Sequence, residues 1–296
     1  MNTAVKPART LPAFIRAPFV RLLLGILAVV VLVLVVQLAV TSLPVDRLIK
    51  NLGLALLTPP VAIWAYSTFV RLTEQRPVAE LEPRGALKHL GLGALLGMLL
   101  LLLVVAVLAA LGVFSIVGTG NLGALLIPFF IAAASAPFEE LLFRGVLFRI
   151  LEQGLGSWLG LLLSATIFGL LHLINENASI VGAVAVMLEA GIMLGAAFMA
   201  TRRLWLPIGI HFAVNFMESG IFGIAVSGTQ AREGLFKSRL VGSDLLTGGS
   251  FGIEGSIVTI AVGLGLSIYF LWLARRRDHF VAPPWRRASS PKTSAG

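Results

Sequence analysis

The feature that most limits this chain is a set of apolar runs, each close to the length that a bilayer crossing demands. Eight are expected, at about 19–40, 52–70, 89–113, 122–151, 158–174, 180–201, 206–226 and 257–274. A helix rises 1.5 Å per residue, so roughly 20 apolar residues cross the ~30 Å of hydrocarbon. There, backbone donors and acceptors must be satisfied within the segment, and an uninterrupted apolar run does this as a helix. The expected fold class is therefore all-α: a polytopic membrane protein of about eight transmembrane helices. Only 12% of the 296 residues are charged, against about 25% in soluble proteins, so little chain is left for a soluble domain.

Charge sorts the loops into two sets. The N-terminus (Lys6, Arg9, Arg16, Arg21), the connector from Arg71 to Lys88, the Arg144/Arg149 region, Arg202-Arg203 and Arg275–Arg277 are basic. The loops after the third and fifth runs contain no Lys or Arg. Basic loops stay on the cytoplasmic side, so both termini are expected there, with the chain multi-pass in the plasma membrane. The loop 227–254 runs against this pattern, since Arg232, Lys237 and Arg239 should face outside. Net charge +9 is a topology signal, and no nucleic-acid partner is expected. The first run is too long for a signal-peptide core and lacks a small-residue cleavage site, so it reads as a retained span. Absence of cysteine excludes disulfides and thiolate chemistry. The Arg71–Lys88 connector reads as an exposed loop or interfacial helix rather than a domain, and the third run as a Leu-rich anchor without features.

Charges inside apolar runs are expensive and mark functional sites by default. The fourth run contains Phe138-Glu139-Glu140-Leu141-Leu142-Phe143-Arg144-Gly145. On a helix Glu140 and Arg144 are i,i+4 neighbours and pair. Glu139 lies about 100° round the helix and is left for another task. A plainer reading makes the cluster a stop-anchor that snorkels to headgroups, which accounts for Arg144 better than for two adjacent carboxylates. The fifth run places Phe168 and His172 on one face, and the seventh places His211 and Asn215 on one face. A His and an Asn aimed at one point supply oxyanion donors; they also serve as polar glue between helices. With Gly154–Ser157 as a tight turn, Glu139 and His172 lie about equally far from it and stand at one depth. His211 follows Arg202-Arg203 too closely for that depth. Either spans four and five project toward the cytoplasm, or the Arg202–Pro207 turn dips inward. Asn175, Glu189 and Glu218 are secondary cavity-lining candidates, with Phe168.

Three motifs in order, EExxxR, FxxxH and HxxxN, resemble the CPBP family. These are CAAX-protease and bacteriocin-processing intramembrane endopeptidases, related to the Ras-converting CAAX endoprotease. The resemblance covers about 126–223. It implies an eight-helix fold whose site opens toward the cytoplasm. It also implies roles: Glu139 as the general base that activates water, aided by His172; Glu140 and Arg144 holding that helix; His211 and Asn215 stabilising the oxyanion. The chain then divides into a cytoplasmic segment 1–18, anchor helices 19–120, a catalytic core 121–226, a loop and last helix 227–277, and a disordered tail 278–296. The implied substrate is a membrane-associated peptide or protein, prenylated or not, met in the lipid bilayer. No cofactor is expected. The alternative is zinc held by Glu139, His172 and His211, a His₂Glu set, though the H-E-x-x-H spacing of helical zinc proteases is absent. The competing class is a transporter or self-immunity protein that uses buried carboxylates for binding.

Overall fold

The computed structural model describes residues 12–287; Lys6, Arg9 and the end of the tail from 288 on lie outside the described residues. The chain is an integral, multi-pass membrane protein that is helical except for one short two-stranded sheet. Seven of its helices are long and apolar enough to cross a membrane. They are α1 (Pro18–Thr41), α2 (Arg47–Thr73), α3 (Ala86–Ala110), α4 (Leu122–Leu155), α5 (Ser157–Ile174), α6 (Ile180–Thr201) and α8 (Ile257–Arg276). The remaining one, α7, is shorter: Trp205–Phe216 continued by a π-helical turn, Met217–Ile221. Successive helices alternate in direction, so the bundle has two distinct ends.

One end collects the starts of α1, α3, α5 and α7 and the finishes of α2, α4, α6 and α8. It is the arginine-rich end. The connector after α2, expected as an exposed loop or interfacial helix, is largely exposed but contributes Glu74, Arg76 and Glu80 to an ion network whose carboxylates are buried. Arg149 grips Glu74 with both guanidinium arms, at 2.7 and 2.6 Å. Arg21 and Arg76 reach the same carboxylate at 2.6 and 2.7 Å. Arg76 also holds Glu80 at 2.9 and 2.7 Å, and the Tyr66 hydroxyl donates to Glu80. The Glu74 and Glu80 side chains are each only 5% exposed. Burial pushes the Glu74 carboxyl upward, but the hydrogen bonds and charge of Arg149, with hydrogen bonds from Arg76 and Arg21, overcome this and hold it at about 2. Glu80 is likewise held low, by Arg76 and Tyr66 against burial. The tail does not begin as a disordered segment either. Val281 exchanges hydrogen bonds with Ser157, and the His279 carbonyl accepts from Arg202.

The opposite end carries a small sheet that the sequence pattern did not announce. Strand β1 (Phe114–Thr119) pairs antiparallel with β2 (Phe236–Leu240), Phe114 opposite Leu240 and Thr119 opposite Phe236. It pins the long 227–254 loop to the end of α3. The same loop reaches across to the α5–α6 connection, where Asn175 Nδ2 donates to the Ser227 carbonyl at 2.6 Å.

Helix α3, read as a plain anchor, is the partner that sets the position of α7. Gly93 and Gly97, spaced as G-x-x-x-G, let the two backbones meet. A Cβ on Gly93 would lie 2.2 Å from the Leu206 carbonyl, and one on Gly97 2.6 Å from that of Ile210. Gly209 on α7 faces back, 2.3 Å from the Leu90 carbonyl by the same measure. Small residues of this spacing allow close helix packing where lipid gives no hydrophobic drive.

Candidate active site

Glu139 and Glu140 sit at the middle of α4, where two devices disturb the helix. Pro137 removes one backbone donor just before them, and the chain after Glu140 widens into a π-helical segment, Leu141–Phe148. The helices α6 and α7 widen in the same way at Met187–Gly191 and Met217–Ile221. A π turn replaces i→i+4 bonds by i→i+5 ones and leaves carbonyls for other donors. Arg144 takes up two of them: its Nη2 donates to Ala190 and Gly191 of α6 at 3.1 and 3.2 Å. Its Nη1 donates to Glu140 Oε1 at 2.8 Å, the pairing that the i,i+4 spacing predicts. Glu140 and Arg144 are 0% and 2% exposed, so the pair binds α4 to α6 in a place where neither charge can reach water.

Glu140 has a second partner that no local spacing reveals. His211 on α7 donates from Nδ1 to the same Oε1 at 2.9 Å. A carboxylate accepts only, so this bond fixes the proton on Nδ1 and turns Nε2 toward Glu139. The separation from Nε2 to Glu139 Oε2 is 3.7 Å. His172 has the matching arrangement: its Nδ1 donates to the Phe168 carbonyl at 2.7 Å, which leaves Nε2 as the basic atom of the ring. Glu139 itself keeps a quarter of its side chain exposed.

The depth of His211 follows from the α3–α7 contact. Leu206 meets Gly93, the eighth residue of α3, so α7 starts about 10 Å into the bundle at 1.5 Å per residue. The Arg202–Trp205 turn is sunk and roofed over: Leu204 N–H donates to the backbone carbonyl of Glu80, and the Trp205 indole to that of Glu82. Of the two ways to bring His211 level with Glu139, the fold uses the inward turn. The α4–α5 turn meets its own expectation. Only Gly156 separates the helices, at φ 81°, a conformation open to glycine.

Glu139, His172, His211 and Asn215 line one cavity of about 530 Å³. Phe168 is central to it rather than peripheral. Its ring lies 4.6 Å beneath the Arg144 guanidinium and 4.7 Å from the His172 ring, and 6.3 Å from that of His211. Asn175 and Glu189 also line the cavity. Glu218 does not: it is fully buried behind it, with no hydrogen-bond partner for either oxygen among the described residues. The π turn that begins at Met217 carries position 218 off the face of His211 and Asn215. Sequence reasoning missed Glu254, which lines the cavity and accepts from the Ser227 hydroxyl at 2.7 Å. Its place at the far end of a polar loop gave no periodic signal.

Among the described residues no group of three or more His, Asp or Glu side chains stands close enough to hold a metal ion. The cavity extends from these residues toward the sheet end, where Ser227, Thr229 and Arg232 line it. Both described termini lie at the arginine-rich end.

Residues 120–217 match the family described as Type II CAAX prenyl endopeptidase Rce1-like. That span contains all three motifs, in line with the resemblance they carry. No curated protein and no solved structure gives a match.

Proposed function

We propose that this protein is a CAAX-type intramembrane endopeptidase of the plasma membrane that hydrolyses membrane-associated polypeptides through a water activated by Glu139. The observation that carries the reading is the arrangement of Glu139. It is a partly exposed carboxylate facing the cavity, set beside Glu140, whose Oε1 is already held by Arg144 and His211. Glu139 takes a proton from water, and the hydroxide attacks the scissile carbonyl carbon. The resulting tetrahedral oxyanion receives hydrogen bonds from the Asn215 amide and from His211. To donate from Nε2 while Nδ1 stays with Glu140, His211 carries both protons in this step. The C–N bond then breaks as Glu139 returns its proton to the leaving amine. His172 accepts or relays a proton through Nε2. Arg144 and Glu140 position these groups without touching the substrate. The cofactor-free form is the one proposed.

The test is peptide hydrolysis by the full chain in nanodiscs, with a detergent melting curve alongside. Removing a general base costs about 10²–10⁴-fold, so Glu139→Gln should fall to background while it melts as the parent does. Exhaustive chelation should leave the parent active. Normal hydrolysis by Glu139→Gln would abandon the protease reading for a binding protein built on buried carboxylates. Loss on chelation and recovery with zinc would replace the cofactor-free step by zinc-activated water.

A further inference from the structure

We infer that the cavity recognises a basic side chain, Lys or Arg, of the polypeptide it takes in, through the carboxylates of Glu189 and Glu254; the inference rests on the protease reading for the fate of that polypeptide but not for its binding. Two observations combine. The first is the balance of charge. Glu139, Glu189 and Glu254 line the cavity, from α4, α6 and the loop before α8, against one arginine of the lining, Arg232. The Arg144 guanidinium is already engaged, its Nη1 by Glu140 and its Nη2 by two carbonyls of α6. Glu139, His172 and His211 have work in the hydrolysis, which leaves Glu189 and Glu254 without a task.

The second is the setting of Glu189. It is 2% exposed, yet its Oε1 has no hydrogen-bond partner among the described residues. Its place is a built one. The π turn Met187–Gly191 carries it, and Gly263 on α8 makes room for it, since a Cβ there would lie 2.9 Å from the Glu189 Cα. Glu254 is buried too and is fixed through Oε2, which accepts from the Ser227 N–H and, at 2.7 Å, from the Ser227 hydroxyl. The two carboxylates are close enough to repel each other. Burying a charge is costly unless it is paired and hydrogen-bonded, and a cation that arrives between them offsets the cost for both. A Lys ammonium brings three donors and an Arg guanidinium five. Their methylene stems pack on apolar surface while the charged head reaches a polar place, and Phe138, Leu142, Leu171 and Val186 give the lining that surface.

The probe is a set of fluorogenic peptides that differ at one residue, scanned along both sides of the cleaved bond: Lys against norleucine, and Arg against citrulline. The full chain is held in nanodiscs of zwitterionic lipid, which carries no net charge to attract the peptides. Lys or Arg should raise kcat/KM at one position by roughly 10–100-fold, the worth of a hydrogen bond to a charged group. That preference should fall in Glu189→Gln and in Glu254→Gln. It should persist in Glu218→Gln, whose side chain is at least as buried but lies outside the lining. Binding of the same peptides to Glu139→Gln, read by fluorescence anisotropy, should give the same ranking without turnover. A variant that does not fold leaves the test to the other variant and to the parent's own ranking. Equal rates and equal binding for charged and neutral residues at every position overturn the inference. So does a preference kept by both cavity variants, or lost equally in Glu218→Gln. The two readings fail separately. Glu139-dependent cleavage without the preference sinks this inference alone. Lys-selective binding that needs Glu189, with no Glu139-dependent cleavage, sinks the protease reading alone.

Discussion

The same two residue types, Glu and Arg, are used in opposite ways at the arginine-rich end and at the cavity. At the arginine-rich end the carboxylates are saturated: Glu74 meets three guanidinium groups and Glu80 meets Arg76 and the Tyr66 hydroxyl. Beside the cavity Glu140 is committed through one oxygen, and its other oxygen has no hydrogen-bond partner among the described residues. Glu139 keeps open space in front of it. Saturated pairs tie helices and resist change. A carboxylate with spare capacity is poor for stability and is what a proton-transfer step requires. The difference is one of supply: three arginines converge on the network, whereas Arg144 spends its second arm on the α6 carbonyls.

This contrast breaks first if the Glu140–Arg144 pair proves dispensable. Orphaning a buried charge costs about 3–5 kcal/mol, so Arg144→Gln and Glu140→Gln should each melt far below the parent. The double variant should lose less than the sum of the two, because each removes the other's unpaired charge. Additive losses in a melting-curve cycle would mean that the pair is not coupled. Next comes Asn215→Ala. Loss of one oxyanion donor costs about 10²–10³ in kcat, and here the melting curve should not move. A shift in melting with kcat intact would return Asn215 to the role of glue between helices.

A smaller effect sharpens the other half of the comparison. Glu74→Gln weakens hydrogen bonds to charged groups, which are worth about 1.5–3 kcal/mol each. Stability should fall, and hydrolysis per folded molecule should not. Loss of kcat with stability kept would give the network a direct part in catalysis. The smallest expected effect is in acid. Glu74 is depressed from 4.5 to about 2, and a depressed carboxyl contributes stability that is complete above its unfolded value and is lost as pH falls through its folded value. Melting curves from pH 5 to pH 2 should therefore decline, and Glu74→Gln should flatten that decline. An equal decline in the variant would assign acid sensitivity to other carboxylates.

Local rules carried far in this chain because helices impose them. The apolar run lengths marked the spans, the i,i+4 spacing paired Glu140 with Arg144, and equal counts on either side of Gly156 brought Glu139 and His172 to one cavity. G-x-x-x-G at Gly93 and Gly97 stood in the sequence but went unread among leucines, and it was a local sign that α3 would carry α7. Other features depend on which helix stands beside which. The bond from His211 to Glu140 joins residues 71 apart, and its depth depends on how far the 202–205 turn sinks under the connector. The burial of Glu74 and Glu80 depends on Arg149 arriving from another helix. The arrival of Glu254 depends on a loop held by a two-stranded sheet. Rise and periodicity are properties of one segment and are written in its own residues. Depth, tilt and the facing of charges are set by contacts between segments, and the tertiary structure alone decided that the cavity would extend toward the sheet end.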